Sequence, residues 1–216
     1  MTRGGLWTGL LGGSFNPAHG GHRRISLLAA EALGLDEVWW LVSPGNPLKP
    51  AAGMAPLGAR VRSAQGQARR APIRVTAIER ELGTRYTIDT VRALKRRYPQ
   101  RRFVWLMGAD NLAQFARWKD WRGIARELPI AVIARLGYDR AAIASPAMAW
   151  LRHFRLPAAR VKNRSEWSVP ALIELRFDPD PRSATAVRRT DPRWATRLAG
   201  PSPRDGVTHS PINEAA

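Results

Sequence analysis

The apolar residues of this chain fall into two kinds of segment that alternate along the sequence. Short runs that are wholly or largely apolar, bounded by turn-forming or charged residues, are typical of buried strands. They occur at Leu6–Gly12, Val38–Val42, Ile73–Val75, Phe103–Met107, Ile130–Ile133 and Leu172–Leu175. Most of the segments between them carry apolar positions at helical spacing. The repeated order of strand and helix is therefore the main structural signal.

The predicted helices differ in the clarity of their patterns. The clearest ends at Gly34 and has one apolar face, formed by Ile25, Leu28, Ala29, Ala32 and Leu33. Another helix is predicted over Thr87–Tyr98, where Pro99 stops it. Weaker patterns predict helices over Leu57–Arg70, Asn111–Arg126 and Thr190–Leu198.

The strands carry apolar side chains at successive positions, which is expected where helices cover both faces of a parallel sheet. The sequence thus predicts an α/β fold: a Rossmann-like, open, mostly parallel sheet with helices on both faces. We expect one domain over residues 1–199. Residues 200–216 are rich in proline and glycine, and we expect them to form a disordered tail.

Composition excludes several classes of function. The chain has 216 residues and no cysteine, so disulfides, cysteine-ligated metals and thiol nucleophiles are ruled out. The longest apolar stretch, Leu128–Ala134, is too short to span a bilayer, and the first residues show no signal-peptide pattern. We therefore expect a cytoplasmic protein with no membrane partner.

The strong positive charge does not identify a partner. There are 35 Lys and Arg against 17 Asp and Glu, which gives a formal net charge of +18. Only four of the basic residues are lysines, so the excess is consistent with a GC-rich coding sequence as well as with binding of polyanions.

The turn after the first strand carries the strongest chemical signal. It lacks the Gly-Lys-Ser/Thr of a Walker A loop, and Gly-x-Gly occurs nowhere in the chain, which excludes the dinucleotide fingerprint. Gly12 and Gly13 allow backbone N–H groups to approach an anion. His19 and His22 lie three residues apart, where they share a face near a helix start. Two histidines could also fill a helix start or bind a metal, but the complete string after a strand favours phosphate binding.

Gly13–His22 resembles the HxGH signature of the nucleotidyltransferase superfamily, and specifically that of bacterial nicotinate-nucleotide adenylyltransferases. Further segments match that family in order between about residue 6 and about residue 198. They are the loop Val42–Lys49, a YTxDT element at Tyr86–Thr90, a GAD element at Gly108–Asp110 with Trp118 downstream, and an ISSTxIR-like motif at Arg182–Arg188. The last motif departs from the pattern at Arg182 and Ala184.

The resemblance implies transfer of AMP from ATP to nicotinate mononucleotide in NAD biosynthesis. The products are nicotinate adenine dinucleotide (deamido-NAD) and pyrophosphate. The attacking phosphate monoester has a second pKa of about 6, so it is largely ionised at neutral pH and needs no general base. Attack is expected to be direct and in line, without a covalent enzyme intermediate, and catalysis depends on positioning and charge stabilisation.

The resemblance also implies residue roles. His19 and His22 are the expected catalytic residues. ATP is expected to contact them together with Gly13, Ser14, Phe15, Gly108, Asp110, Ser183, Thr185 and Arg188. Nicotinate mononucleotide is expected to contact Asn46, Lys49, Tyr86, Thr87, Trp118 and Arg135. No metal ligand is expected from the protein, and Mg²⁺ should arrive with ATP.

Alternatives remain open at this stage. Trp118 could be a core residue, Asp110 and Thr87 could be helix caps, Lys49 could be merely solvated, and Arg188 could pair with an acidic neighbour. An enzyme that prefers the amide nicotinamide mononucleotide, a pantetheine-phosphate adenylyltransferase, and an inactive nucleic-acid-binding module are rival functions. The first histidine and Tyr86–Thr90 argue against the pantetheine enzyme, and intact His19, His22 and Arg188 argue against an inactive module. We expect no nucleic-acid partner. The sequence does not distinguish a monomer from a homodimer.

Overall fold

Within the residues that the structure describes, one parallel sheet organises the chain. The computed structural model describes residues 5–45, 52–135, 140–164, 167–178 and 180–213, without the side chains of residues 134 and 135. The strands are β1 (Leu6–Gly13), β2 (Glu37–Val42), β3 (Ile73–Thr76), β4 (Arg101–Gly108), β5 (Ile130–Arg135) and β6 (Leu172–Phe177). They pair in the order β3-β2-β1-β4-β5-β6, and every pairing is parallel. The predicted open α/β sheet is confirmed.

Helices connect successive strands. In chain order they are α1 (Gly20–Leu33), α2 (Leu57–Ala68), α3 (Ile78–Glu81), α4 (Thr87–Arg97), α5 (Ala109–Phe115), α6 (Trp121–Glu127), α7 (Arg140–Ile143), α8 (Pro146–Leu151), α9 (Ala158–Val161), α10 (Ala184–Thr190) and α11 (Trp194–Arg197). A turn of 3₁₀ helix follows α8 at Arg152–Phe154. No helix in the described part of the chain is long and apolar enough to cross a membrane.

The sheet is buried on both faces, which explains the continuous apolar strands. In β2, Trp40 and Val42 join the cluster that packs under α1 and α2, whereas Trp39 and Leu41 join the cluster under α4, α5 and α6. Side chains of a strand alternate between faces, so a strand covered on both sides must be apolar at every position.

Two helix predictions are wrong in their boundaries. The segment predicted as one helix over Asn111–Arg126 forms two, because Asp120 adopts a φ of +44° and its carboxylate accepts the Gly123 N–H to begin α6. This break leaves Trp118 in a turn. The predicted closing helix over Thr190–Leu198 is replaced by α10 and α11, which are separated at Asp191–Pro192 because proline disfavours helical backbone before it.

The prediction of a disordered tail is wrong for residues 200–213. Asp205 is buried against the end of β3, where its carboxylate accepts the Thr76 hydroxyl and the Ala77 N–H, each at 2.8 Å. The Gly206 N–H donates to the Val75 carbonyl at 2.8 Å, and Ile212 lies in the core. A segment rich in proline and glycine is thus fixed by one buried carboxylate and one apolar anchor.

The turn after β1 lies where the order of strands in the sheet changes direction. β1 has β2 on one side and β4 on the other. The connection through α1 lies on one face, and α4, which precedes β4, lies on the opposite face. Such a switch point leaves an open crevice beyond the carboxyl ends of the two strands. His19 and His22 follow β1 at this crevice.

Candidate active site

The turn after β1 is shaped by an unusual backbone conformation at Phe15. This residue has a φ of +46°, in the left-handed region that non-glycine residues rarely adopt. Its ring is buried, stacks on Trp40 at 5.1 Å between centroids, and lies 4.9 Å from the His22 ring. The aromatic contacts hold the strained backbone in place, and the turn is therefore rigid.

His19 and His22 form the first turn of α1 as a reciprocal pair. His19 caps the helix, and its Nδ1 accepts the Gly21 N–H at 3.2 Å. The Nδ1 of His22 accepts the His19 N–H at 3.2 Å, and the two ring centroids are 3.9 Å apart. Because Nδ1 is an acceptor in both rings, each neutral imidazole carries its proton on Nε2. The local backbone thus sets both tautomers and makes each Nε2–H the donor.

Arg188 connects the late helix α10 to this turn. Its Nη1 donates to the Asn16 carbonyl, and its Nη2 donates to the Thr185 hydroxyl at 3.2 Å. Ser183 caps α10, where its Oγ accepts the Ala186 N–H at 3.1 Å. Arg188 of the late motif therefore contacts the turn after β1, at the residue that follows Phe15.

Arg60 is a site residue that the sequence reasoning missed. It is 1% exposed, and its guanidinium donates to the carbonyls of Ser14 (2.9 Å), Ser43 (2.7 Å), Pro44 (3.2 Å) and Ala55 (2.9 Å). One buried side chain thereby joins the turn after β1, the loop after β2 and the segment before α2. A signal existed, because Arg60 follows Leu57 by three residues and occupies the buried face of α2.

The carbonyls bound by Arg60 determine where the neighbouring N–H groups point. In a trans peptide the C=O of one residue and the N–H of the next are antiparallel. The Ser14 carbonyl points to Arg60, so the Phe15 N–H points the opposite way. The same reasoning applies to the Pro44 carbonyl and the Gly45 N–H. Arg60 therefore orients one amide donor in each of two loops at the crevice.

The predicted acceptor residues also come together. Tyr86 and Thr87 begin α4, and Trp118 lies in the turn after α5. Lys119 joins the two segments, because its Nζ is 3.0 Å from an Asp89 carboxylate oxygen and 4.6 Å from the centre of the Tyr86 ring.

Trp118 is neither fully buried nor fully exposed. Its ring packs edge-on against Phe115 at 5.3 Å and Trp105 at 6.0 Å between centroids. The Trp105 indole N–H is buried and has no acceptor among the described residues. A buried indole N–H usually has a partner, so this donor is an exception among the described residues.

Glu79 is a second site residue that the sequence did not reveal. It lies on α3, directly after β3, and is 8% exposed. The side chains of Ser43, at the end of β2, and Thr90, in α4, hydrogen-bond its carboxyl group, Thr90 at 3.4 Å. Burial raises the pKa of Glu79 to about 7, against the opposing effect of these bonds. Contacts thus run continuously from Ser14 through Arg60, Ser43 and Glu79 to α4.

The other predicted residues have mixed outcomes. Gly108 ends β4, next to β1, and the Asp110 carboxylate lies so close to it that a Cβ on Gly108 would overlap the carboxylate oxygen. Arg135 ends β5, but its side chain is outside the described part. Asn46 and Lys49 lie outside the described residues, so their predicted roles stay predictions.

The described residues offer no protein-based metal centre. In that part of the chain, no group of three or more His, Asp or Glu side chains is arranged to hold a metal ion. His19 and His22 direct their Nδ1 atoms to backbone N–H groups. Their arrangement therefore suits hydrogen-bond donation to an anion better than shared ligation of a metal through Nδ1.

Comparisons with known proteins identify the family of this chain. The cytidylyltransferase-like family model matches residues 10–190. Two curated relatives carry the name "Probable nicotinate-nucleotide adenylyltransferase". The protein from Erythrobacter litoralis is 70% identical over 95% of this chain and 94% of its own length. The protein from Parvibaculum lavamentivorans is 52% identical over 89% of this chain and 96% of its own.

A solved structure shows the same fold at low sequence identity. Plasmodium falciparum nicotinic acid mononucleotide adenylyltransferase complexed with NaAD aligns with a TM-score of 0.62 and 14% identity, over 85% of this chain and 83% of its own. The family model and the curated relatives together decide the classification. This chain belongs to the cytidylyltransferase-like family and, within it, to the nicotinate-nucleotide adenylyltransferases.

Proposed function

We propose that this protein transfers AMP from ATP to nicotinate mononucleotide and releases nicotinate adenine dinucleotide and pyrophosphate. The observation that carries the proposal is the fixed pair of imidazoles at the start of α1, in one turn with the carbonyl that Arg188 binds. Two Nε2–H donors, helix-start N–H groups and a guanidinium form a site for a polyphosphate.

The chemistry requires stabilisation of charge rather than proton abstraction. The mononucleotide phosphate attacks the α-phosphorus of ATP, and the bond to the β-phosphate oxygen breaks as pyrophosphate leaves. Negative charge builds on the phosphoryl oxygens in the transition state. His22 and His19 donate to these oxygens from positions set before substrate binds, so little reorganisation is needed. Mg²⁺ enters with ATP as part of the substrate, carried mainly by phosphate oxygens and water.

Nicotinate mononucleotide is proposed to bind between Trp118 and the start of α4, the two segments that Lys119 joins. The face of Trp118 can stack on a pyridine ring, and the first N–H groups of α4 can bind a carboxylate. Tyr86 is the N-cap residue of α4 and lies beside these N–H groups. A carboxylate is favoured here over a neutral amide, because helix-start N–H groups attract negative charge.

The decisive experiment measures pyrophosphate release with ATP, Mg²⁺ and either nicotinate mononucleotide or nicotinamide mononucleotide. We expect a higher kcat/KM with the acid. Equal or better turnover of the amide would overturn the choice of acceptor, and no release with either would overturn adenylyl transfer to pyridine mononucleotides. Phosphopantetheine is a control acceptor that should give no product.

A further inference from the structure

Arg182 is one of the two positions at which this chain departs from the family's late motif, and it replaces the apolar residue that begins that motif. The structure places its guanidinium directly on Gly20, the first residue of α1. A Cβ on Gly20 would overlap Nη1 and Cζ of Arg182, and a Cβ on Gly21 would lie 3.4 Å from the Arg182 carbonyl. The side chain therefore lies beside His19, at the proposed phosphate site.

Asp180 holds the guanidinium in this orientation. Its Oδ1 accepts from Nε at 2.8 Å and from the Arg182 backbone N–H at 3.0 Å, and its Oδ2 accepts from Nη2. The Asp180 side chain is 5% exposed, and its bonds to Arg182 hold the pKa of the carboxyl well below its usual range. It therefore remains ionised and fixes one edge of the guanidinium.

The other edge of the guanidinium keeps donors for a ligand. A guanidinium has five N–H groups, and Asp180 takes the one on Nε and one on Nη2. Both N–H groups of Nη1, the atom that lies over Gly20, have no protein acceptor among the described residues. They are thus available at the start of α1.

The local charge also favours an anion at this point. The N-terminus of α1 carries partial positive charge, and its first turn contains no acidic residue. A second cation, Arg24, is close enough to lower the pKa of Asp180 as well. Placing a guanidinium against a helix N-terminus is unfavourable unless an anion balances it. Here the single negative charge of Asp180 faces the charges of Arg182 and Arg24 together with the helix terminus.

We propose that Arg182 is a phosphate-binding residue of this chain, which contacts the β,γ-diphosphate end of ATP and the pyrophosphate that leaves. The proposal rests on the proposed function. Arg182 directly precedes Ser183, the N-cap residue of α10. Ser183 is one of the residues expected to hold those phosphates. Its fork supplies the donors that an apolar residue at this position lacks.

The test compares Arg182→Met with Arg189→Met by isothermal titration calorimetry, with α,β-methylene-ATP and inorganic pyrophosphate as probes. Both variants lose one positive charge from an exposed side chain, but Arg182 lies over the start of α1 whereas Arg189 lies in the last turn of α10. We expect Arg182→Met to weaken binding of both probes about tenfold, the scale of a lost charge-assisted bond. Arg189→Met should bind as the wild type does. Arg182→Lys should give an intermediate loss, because it keeps the charge without the fork.

Steady-state kinetics complete the test. The KM for ATP should rise in Arg182→Met, while the KM for the mononucleotide stays within about twofold of the wild type. Equal weakening of probe binding in the two methionine variants would overturn the proposal, because it would show that only the net charge of the protein matters. Unchanged binding in Arg182→Met would also overturn it. Pyrophosphate binding is measured without turnover, so these results stand even if the wild type fails to use nicotinate mononucleotide.

Discussion

The two ends of the site are built differently. The phosphate side, which we define as residues 13–22 with Arg60 and Arg188, is held by aromatic stacking and by side chains bonded to backbone groups. The acceptor side, defined as Tyr86–Thr87 with Trp118–Lys119, is joined by an ion pair whose Lys119 and Asp89 side chains are 51% and 39% exposed. Buried contacts to the backbone hold a geometry much more rigidly than exposed ion pairs do.

This difference suits the chemistry proposed for each side. Donors that stabilise a transition state gain most from being fixed before the substrate arrives. A pocket that binds and releases a pyridine ring can function with side chains that are held less firmly. The two sides are nevertheless connected, because Arg60 binds the Ser43 carbonyl and Glu79 bonds the Ser43 side chain.

The largest effect should follow from changing the phosphate side at His22. We expect His22→Ala to lower kcat by roughly 100- to 1000-fold, the scale of one lost transition-state donor. His22→Asn separates two roles, because its Oδ1 can replace Nδ1 as the acceptor for the His19 N–H while the Nε2 donor is lost. Near-normal turnover in His22→Asn would show that His22 only caps the helix. His153→Ala, at an exposed histidine, is the control.

The connection between the two sides can be tested through Glu79. Its pKa of about 7 lies above the ordinary glutamate value of 4.5, so between these pH values the folded protein binds more protons than the unfolded chain. Stability therefore falls as pH rises from about 4.5 to about 7, by about 3 kcal/mol from this group.

Urea denaturation from pH 4.5 to 8 measures this contribution. Glu79→Gln cannot ionise, so its stability relative to the wild type should increase over that window and then level off above pH 7. Glu81→Gln, on the same helix, should not reproduce the change. A constant difference between Glu79→Gln and wild type would show that the carboxyl group titrates normally.

A smaller effect, of about 2 kcal/mol on stability, is expected for Arg60→Lys, because an ammonium cannot satisfy all the carbonyls that the fork binds. The KM values for ATP and for the mononucleotide should both rise, since both loops lose their anchor. In ¹⁵N–¹H spectra the amides of Phe15 and Gly45 should shift. Loss of stability without a change in either KM would assign Arg60 a purely structural role. Arg62→Lys, on the same helix, is the control.

The smallest effect is expected on the acceptor side. Trp118→Ala should raise the KM for nicotinate mononucleotide by up to about tenfold, the scale of a lost aromatic stack, and leave the KM for ATP nearly unchanged. Trp121→Ala removes another half-buried aromatic ring that contacts Phe115, and it should leave both constants unchanged. An equal rise in the KM for nicotinate mononucleotide in both variants would show that Trp118 acts as a packing residue rather than as a contact to the substrate.

The sequence predicted the strands well because each is buried on both faces, and this requirement appears as an unbroken apolar run. It also predicted roles for His19, His22 and Trp118 from local motifs, and the structure places the two histidines together at the start of α1 and Trp118 in the turn after α5. The sequence did not show that the His19 and His22 tautomers are set by a reciprocal cap, because that depends on backbone geometry rather than residue type.

Residues whose bonding partners lie far away in the sequence were harder to predict. Arg60 gathers carbonyls from three segments, and Glu79 bonds side chains that are distant in sequence. Their partners are fixed by the order of strands in the sheet, which no local pattern contains. The ordered segment 200–213 was missed for a similar reason: its composition suggests flexibility, but Asp205 also accepts from Thr76 and Ala77, which only folding brings to it.

That C-terminal segment also covers one edge of the sheet. β3 lies at one side of the sheet, and an outermost strand with open main-chain groups invites pairing with a second molecule. The Gly206 amide occupies the Val75 carbonyl, and Asp205 covers the N–H that follows the strand. By folding back on its own outermost strand, the chain occupies main-chain groups that this strand would otherwise leave open.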